Sequence, residues 1–500
     1  MPKRLLTAAV AAGILTLPSA ADAATYCVGT PVCAGTMKDS LTEALAASDA
    51  TVEVDEIVLG YGTFVGNWKN APGRPVRIKG QKIAGTTIMP ANGNAPGLAL
   101  SGEGSVVRDL AVAFAADMSY QTGLHLSDGA SATMIGAHAE QGSFSNVAIE
   151  LGERASLTTA QLGLANHNST EGVRVTGDGA TISDVTVQAR LGVVVRADAT
   201  IRRAKIDSTN AALTVQAGTA TVENAVLDVR DGQDGVRVYK DSPTKAARAD
   251  ISNVTLVGSD GGWQLGVGVG PGAEVSIRDS IVTGVATAFT VDGWLALDHV
   301  DRDPKAKTTG LGTITDVAPL LLRPEFVEVG KHQFTIAPSS PLVDAGTDTP
   351  LAAGETDMAG KPRITDGDGD CTPQRDIGAY EVAATPTCVA PPAPPAPPTP
   401  ATPTAEQPAP TAMDRVSPKL TKLKLTRSKL TFRASEPATV TIRVERRRGK
   451  RYIKARTITK RARAGANSVK LNLPKGRYRA RIQAVDAAGN RATAGVSSSA

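Results

Sequence analysis

The chain has 500 residues, with 49 glycines and only 3% aromatic residues, which is typical of a repetitive β architecture rather than a helical one. Its length exceeds a single ordinary hydrophobic core, so we expect more than one domain. The net charge of +5 hides a strong asymmetry: residues 415–500 carry 24 basic and 3 acidic residues, a net +21, and the remainder carries 30 basic and 46 acidic residues, a net −16.

The N-terminus has the pattern of a secretory signal. Lys3 and Arg4 precede an apolar run over 5–17, and Ala21-Asp22-Ala23 offers a small-x-small cleavage site. We predict a signal peptide over 1–24 and a secreted or cell-surface protein. The run is too short to span a bilayer, and no later stretch of about 18 apolar residues replaces it. The alternative is an uncleaved helix that holds the protein to the membrane.

Four cysteines form two local pairs, Cys27 with Cys33 and Cys371 with Cys388. An even number in an exported chain indicates disulfides, and four cysteines allow three pairings. We expect the two nearby pairings. Because no histidine or further cysteine lies near either pair, a zinc site is not expected.

After the first cysteines, residues 40–43 (SLTE) have the pattern of a helix capping box, so we predict a short helix that covers the first coil of the body. The middle of the chain then repeats. Eight copies share apolar positions at intervals of 19 to 29 residues, and Asp, Asn or Gly often occupies the fifth position, where we expect a sharp corner. The copies are 105–112, 132–139, 155–162, 180–187, 199–206, 220–227, 249–256 and 275–282.

A further short strand recurs between the copies, at 172–177, 192–197, 212–217, 235–240, 266–271 and 288–293. Stacked coils with three short strands each, about 4.8 Å apart, predict a right-handed parallel β-helix. The β-propeller is the runner-up, but its blades need about 40 or more residues and aromatic signatures.

Alternation along the recurring strand predicts which side chains face outward. Arg174, Arg196, Arg237, Tyr239 and Lys240 form a face that could hold an acidic sugar chain through paired hydrogen bonds. The alternative is a solvated face covered by long side chains. Within the outward rows of these six strands Asp292 is the one acidic residue, so we assign no catalytic residue.

The end of the body carries three short motifs: FTIAPSSPLVDAG (334–346), DMAGKPRI (357–364) and DIGAYE (376–381). In this order they resemble the closing region of the choice-of-anchor Q family. The segment 27–50 followed by VLGYGTF (58–64) likewise resembles the start of exported bacterial β-helix proteins. The resemblance implies a pectate-lyase-like fold over 25–388, with an N-terminal cap and a closing region, followed by a surface-retention module.

Between these motifs lies the best metal candidate, the alternating Asp366, Asp368 and Asp370 of a glycine-rich loop. Alternating carboxylates offer the hard oxygen ligands that calcium prefers, and Asp376 or backbone carbonyls could complete the shell. It is not an EF-hand, since position 12 is Ile377. A structural calcium ion is the one cofactor considered, and the alternative is a polar loop without an ion.

Residues 389–414 form a Pro/Ala/Thr-rich linker with an extended, stiff character. Residues 415–500 alternate as strands and resemble immunoglobulin-like or fibronectin-III-like modules, so we predict a small basic β-sandwich. Its expected partner is an anionic cell-envelope polymer, an acidic polysaccharide or a membrane surface, contacted through the run at 446–451. Export argues against nucleic acid, and a charged surface without a partner is the alternative.

Fold alone does not decide between an inert scaffold and a polysaccharide enzyme. The repeats lack the paired acidic motifs of β-helix polygalacturonases. We therefore predict a monomeric, non-catalytic surface or matrix protein with a β-helix stalk or glycan-facing platform. The alternative is a polysaccharide lyase or glycoside hydrolase that acts on an acidic polysaccharide. A protein that only binds carbohydrate is a third possibility, which the scarcity of aromatic residues disfavours.

Overall fold

The computed structural model describes residues 23–93, 95–115, 119–139, 145–164, 170–259, 263–327, 334–347, 355–384, 418–448, 451–471, 473–474, 476–485 and 491–497. Nearly all of the predicted signal peptide and the whole predicted linker lie outside these residues. The chain divides into two compact units, Met1–Pro394 and Pro395–Ala500. Within the described residues, no helix has the length and apolar character needed to cross a membrane.

A helix follows the first strands of the body, as the capping pattern predicts. The Ser40 hydroxyl accepts the Glu43 amide at 3.2 Å, and Leu41 and Leu45 are buried against the first coils. A disulfide joins Cys27 to Cys33, which confirms that pairing, whereas Cys388 lies outside the described residues. The elements are β1 (Thr25–Val28), β2 (Thr36–Lys38), α1 (Leu41–Asp49), β3 (Asp55–Leu59), β4 (Gly62–Val65), β5 (Trp68–Lys69), β6 (Val76–Lys79), β7 (Thr86–Met89) and β8 (Leu98–Ser101).

The body is a right-handed parallel β-helix, in which each strand pairs in parallel with its counterparts in the neighbouring coils. Ladders of Val, Ile, Leu and Ala fill its interior. The strands are β9 (Val106–Phe114), β10 (Thr122–Ser127), β11 (Ser131–Ala139), β12 (Val147–Leu151), β13 (Ser156–Gly163), β14 (Glu171–Val175), β15 (Ala180–Val195), β16 (Ala199–Val215), β17 (Gly218–Asp228), β18 (Asp234–Val238), β19 (Ala247–Val257), β20 (Leu265–Val269), β21 (Glu274–Thr283), β22 (Thr287–Val291), β23 (Trp294–Arg302), β24 (Lys307–Thr309) and β25 (Thr313–Val317).

One residue of each repeat turns the chain through a left-handed conformation, and the corner was predicted correctly in seven of the eight copies. In the second copy the predicted corner, Gly136, is wrong by two residues. Because Ala132 pairs with Val107, Met134 occupies the corner, at φ 54°. Gly136 instead lies against Ile83, where a Cβ would approach the Ile83 Cγ2 to 2.3 Å. The corner residues are Asp109, Met134, Thr159, Asp184, Arg203, Asn224, Asn253, Asp279 and His299, the last in an additional coil.

The closing region packs on the flank of the coils formed by β17, β19 and β21. Its apolar side chains join two small clusters, one around Ile281 and one around Val226 and Val257. All five residues of β25, by contrast, are exposed. The closing motifs therefore cover a side of the solenoid and leave β25, the last described strand of the β-helix, uncovered.

A buried polar network holds this region to the corner residues. The guanidinium of Arg363 is fully buried and donates to Asn224 Oδ1 at 2.6 and 2.8 Å, to Glu381 Oε1 at 2.5 Å and to the Gly378 carbonyl at 2.9 Å. The buried Arg375 donates to Asp279 at 3.2 Å. The corner residues Asn224 and Asp279 thus serve both the turn and the docking of the closing region.

The C-terminal unit contains two antiparallel sheets that share one hydrophobic core. Alternating residues such as Phe432, Val440 and Ile482 fill it, and the charged residues between them face outward. The strands are β26 (Leu420–Leu425), β27 (Lys429–Ala434), β28 (Ala438–Arg448), β29 (Arg451–Ala462), β30 (Gly465–Lys470), β31 (Tyr478–Val485) and β32 (Arg491–Ser497). One sheet has the order β26-β27-β30 and the other β29-β28-β31-β32.

Candidate functional site

The recurring strand of the sequence forms one continuous parallel sheet along the β-helix, which we call the third sheet. It contains β10, β12, β14, the ends of β15 and β16, β18, β20 and β22. Val173 and Val175 point into the core, as the alternation predicts. The outward row runs through His125, Glu150, Arg174, Val194, Thr214, Arg237, Gly268 and Thr290.

The first part of this row is an ionic cluster. Arg174 Nε and Nη2 donate to Glu171 Oε2 and Oε1 at 2.7 and 2.8 Å, and Arg174 Nη1 lies 3.7 Å from Glu150 Oε2. Glu150 Oε1 lies 3.2 Å from His125 Nδ1. Arg174 is therefore a charge-balanced member of a network and does not project as an isolated cation.

His125, Glu150 and Glu171 were missed by the sequence reasoning. The recurring strand was recognised in the sequence only from residue 172 onward. That position is one residue after Glu171 and two coils after His125. The strands TGLHLS (122–127) and VAIEL (147–151) carry the same alternation. Continuing the pattern backwards would have stacked His125, Glu150 and Arg174 in one row, because equivalent positions of adjacent coils are neighbours.

Electrostatics keep Glu150 ionised. The hydrogen bond with His125 lowers the pKa of Glu150 below its usual value, and the charges of Arg174 and Arg196 act in the same direction against the opposing effect of burial. When His125 Nδ1 carries the proton and donates a hydrogen bond to this carboxylate, Nε2 is the basic nitrogen of the ring. The pair therefore has the arrangement of a carboxylate-oriented base.

Arg237 is also paired with an acid. It binds Asp234, three residues earlier on the same strand, and donates to Asn210 Oδ1 at 2.9 Å. Asn210 in turn donates to Gln233 at 2.9 Å. Arg174 and Arg237 thus have the same local design, an acidic partner at i−3 that neutralises the guanidinium.

The predicted residues that the structure brings into one hydrogen-bonded chain are Arg196 and Tyr239. Arg196 Nε donates to Gln216 Oε1 at 2.6 Å, and Gln216 Nε2 donates to the Tyr239 hydroxyl at 2.7 Å. These residues come from three consecutive coils, and Lys240 is exposed beside Tyr239. We call Arg196, Gln216 and Tyr239 the three-coil relay.

An open groove of about 850 Å³ runs beside the relay and is partly lined by Arg196. Its other walls are polar loops of the same and the preceding coils, including Asp178, Asp198 and Lys245. Arg196 is bonded to a neutral amide rather than to a carboxylate, and its side chain is exposed. The groove and the relay together form the part of the third sheet best arranged to bind a polar ligand.

The acidic loop of the closing region forms a different group from the predicted one. Carboxylate oxygens of Asp344, Asp366 and Asp368 lie within 4.8 Å of one another, whereas Asp370 accepts the Thr372 amide at 2.7 Å. The Asp376 carboxylate accepts the amides of residues 344 and 382 and is buried. The three clustered carboxylates have the hard oxygen donors that suit calcium.

These carboxylates also organise the loop itself. Asp344 Oδ2 accepts the amides of Gly367 and Asp368 at 2.9 and 3.0 Å, and Asp366 accepts those of Gly369 and Cys371 at 2.8 and 3.0 Å. Burial raises the pKa of Asp344, and the neighbouring Asp368 charge adds to this effect. A cation would relieve the crowding of the three carboxylates.

The fold and site define the chain as a right-handed parallel β-helix protein with a C-terminal antiparallel β-sandwich and a polar outer face on its third sheet. No protein-family model matches the chain, and neither does any curated protein. One similar solved structure is an alginate lyase from Paenibacillus sp. str. FPU-7, at 13% sequence identity and a TM-score of 0.35, over 57% of this chain and 98% of that chain.

Proposed function

We propose that the protein is an exported surface or matrix protein whose third sheet binds an acidic polysaccharide along the axis of the β-helix. The observation that carries this proposal is the three-coil relay beside its open groove. In the same proposal, the basic C-terminal sandwich holds the protein near an anionic cell envelope.

The relay offers the chemistry that acidic sugar recognition needs. Arg196 supplies a guanidinium whose planar fork suits a carboxylate, and Gln216 supplies a neutral amide. Tyr239 is 38% exposed and presents both an aromatic surface and a hydroxyl. Since coils repeat about every 4.8 Å, these groups are spread along the direction in which a linear polymer would lie.

The test is binding of the full chain to polygalacturonate, with neutral dextran as the comparison polymer, by affinity electrophoresis. Arg196→Gln is expected to weaken binding about 10- to 100-fold, the loss of one charge-assisted hydrogen bond worth about 1.5–3 kcal/mol. Tyr239→Phe keeps the ring and should give a smaller loss. Arg202→Gln is the matched control, because Arg202 pairs with Glu223 on a different sheet.

Equal weakening by Arg196→Gln and Arg202→Gln would show that binding depends on total charge and not on the relay. Absence of binding by the unaltered chain to any acidic polysaccharide would overturn the glycan proposal altogether.

A second candidate function, a polysaccharide lyase, is favoured by the His125–Glu150 pair. In this reaction His125 Nε2 would remove the C5 proton of a uronate, the C4–O bond would break, a C4=C5 double bond would form, and water would protonate the leaving oxygen. A retaining or inverting hydrolase fits less well, because it needs a protonated carboxylic acid and Glu150 has a lowered pKa.

The lyase candidate is tested by the ultraviolet absorbance of the new double bond during incubation with uronate polymers. His125→Asn should abolish any such signal. His299→Asn is the control, since His299 lies 2.8 Å from Asp298 in a comparable pair on another sheet and asparagine tolerates its left-handed corner. If the unaltered chain releases no unsaturated ends from any uronate polymer, the lyase candidate is refuted.

The finer assignments of the sequence analysis stand as parts of the same proposal. Membership of the choice-of-anchor Q family is supported by the three closing motifs and by their packing as one docked region. An immunoglobulin-like or fibronectin-III-like identity for the C-terminal unit is supported by its two antiparallel sheets around one core. For calcium, we propose Asp344, Asp366 and Asp368 in place of the predicted set of Asp366, Asp368 and Asp370, because the carboxylates of the first three converge.

A further inference from the structure

We propose that the outer face of the four-stranded sheet in the C-terminal sandwich is a binding site for a linear oxyanion-bearing polymer, centred on Arg443 and Arg481. The inference rests on the proposed envelope association and names the site that performs it. It places the contact on a sheet face instead of the basic run at 446–451.

The two central arginines are direct cross-strand neighbours. Arg443 on β28 pairs with Arg481 on β31, and both side chains are exposed. Like charges directly opposite each other on one face of a sheet are destabilising. A bound anion would convert this repulsion into two favourable contacts.

Charge compensation on this face is incomplete. Glu445 lies 3.4 Å from Arg443 and forms an ion pair with Arg479, the next outward residue before Arg481. The hydrogen bond from Arg479, helped by the charges of Arg481 and Arg443, lowers the pKa of Glu445 and keeps it ionised. Among the described residues of this face, one carboxylate therefore lies beside three guanidinium groups, a local surplus of about two positive charges.

A groove of about 710 Å³ contains both central arginines. Thr441 and Gln483 form the adjacent cross-strand pair, and Thr493 follows on β32, so hydroxyl and amide donors continue the line. Gly495 is the cross-strand partner of Arg481 and places no side chain over it. The groove therefore presents two cations followed by neutral hydrogen-bond donors, which suits a chain of carboxylates or phosphates.

The surface does not have the character of a membrane-inserting face. Large exposed hydrophobic residues occur in the β-helix unit, but none is found among those residues of the sandwich whose side chains are described, which leave out 451–459. Proteins that enter the membrane interface normally add apolar or aromatic side chains to their basic ones. A soluble anionic polymer is accordingly the favoured ligand over a lipid bilayer.

The experiment compares two double variants of the full chain that each remove two positive charges. R443Q/R481Q removes the proposed site. K429Q/K470Q removes another exposed cross-strand pair, on the three-stranded sheet. The probes are immobilised polyphosphate, immobilised polygalacturonate and anionic lipid vesicles, with neutral dextran as the blank, at two salt concentrations.

We expect R443Q/R481Q to weaken binding to at least one anionic polymer about tenfold or more and to flatten its salt dependence, and K429Q/K470Q to change it less than about threefold. The polymer whose binding is weakened shows whether the site prefers phosphate or carboxylate groups. Equal losses in both variants, or binding to vesicles without binding to either polymer, would overturn the site. Absence of binding by the unaltered chain to all three anionic probes would instead refute the envelope association itself.

Thermal unfolding separates binding from a structural role. Removing two repelling charges should leave the melting temperature of the free protein unchanged or raise it. Loss of affinity accompanied by a lower melting temperature would contradict the proposal. R443K/R481K, which keeps the charges and loses the planar forks, should retain the salt dependence and recover part of the affinity.

Discussion

Replacing Arg363 by methionine should release the closing region from the β-helix. The guanidinium is fully buried and serves four hydrogen bonds to three partners, Asn224, Glu381 and the Gly378 carbonyl. Methionine fills much of the volume but leaves Glu381 buried without its cation. Breaking a buried ion pair by removing one partner costs about 3–5 kcal/mol, so the docked state should weaken by about that amount above about pH 8, where Glu381 is ionised, and by less below it, where Glu381 is protonated.

Amide hydrogen exchange at Gly378 and Ala379 measures the weakening of the docked state at the contact itself. Their amides donate to the Asp279 carbonyl and to Thr255 Oγ1, both at 2.9 Å, and so they report docking directly. A loss of about 3–5 kcal/mol corresponds to protection lower by about 10² to 5 × 10³-fold. Arg278→Met is the control, because Arg278 is exposed on the same strand as Asp279.

Combining Arg363→Met with Glu381→Gln tests the cause. If the penalty comes from an uncompensated buried carboxylate, the double variant should lose less than the sum of the single losses. Unchanged exchange in Arg363→Met, or strictly additive effects in the double variant, would refute the role given to this ion pair.

Burial raises the pKa of Asp376 to about 6 and that of Glu381 to about 8, above values of about 4 in an unfolded chain. Their contribution to stability is therefore complete below about pH 4 and is lost as the pH rises to about 8. Proteolysis of the closing region should accelerate over that range, and slower cleavage at high pH would contradict this prediction. Met134→Gly should raise stability by up to about 1 kcal/mol in thermal unfolding, because it relieves a left-handed corner, with Met134→Val lowering it. Calcium should raise the melting temperature of the unaltered chain but not of Asp344→Asn, with magnesium as the control ion.

The fold could be predicted from the sequence because a solenoid repeats its constraints. Each coil must place an apolar residue in the same ladder and a turn-tolerant residue at the same corner, so one frame recovers many copies. The frame failed at 132–139, where Ala132 and Met134 are both apolar and either can fill the third position. Register between coils, and not polarity, decides there that Met134 is the exposed corner.

The candidate site was predictable only in part. Alternation placed Arg174, Arg196, Arg237 and Tyr239 on an outward face, because that property is local to each strand. Their partners depend on side-chain conformation: Arg174 folds back to Glu171, whereas Arg196 reaches across to the next coil. Sequence spacing cannot distinguish a neutralised arginine from an available one, and this difference determines where an acidic ligand would bind.

The closing motifs show why the most recognisable part of the sequence says least about chemistry. Asp357, Arg363, Asp376 and Glu381 are almost completely buried, and with Asp279 and Arg375 they place four carboxylates against two guanidinium groups. Such a set tolerates few substitutions, because every member satisfies another and burial, together with the neighbouring carboxylates, already raises the pKa of Asp376 and Glu381. The outward row of the third sheet differs from coil to coil beyond its ionic cluster at His125, Glu150 and Arg174. If this sheet binds a ligand as proposed, its specificity can change there while the buried motifs keep the same architecture.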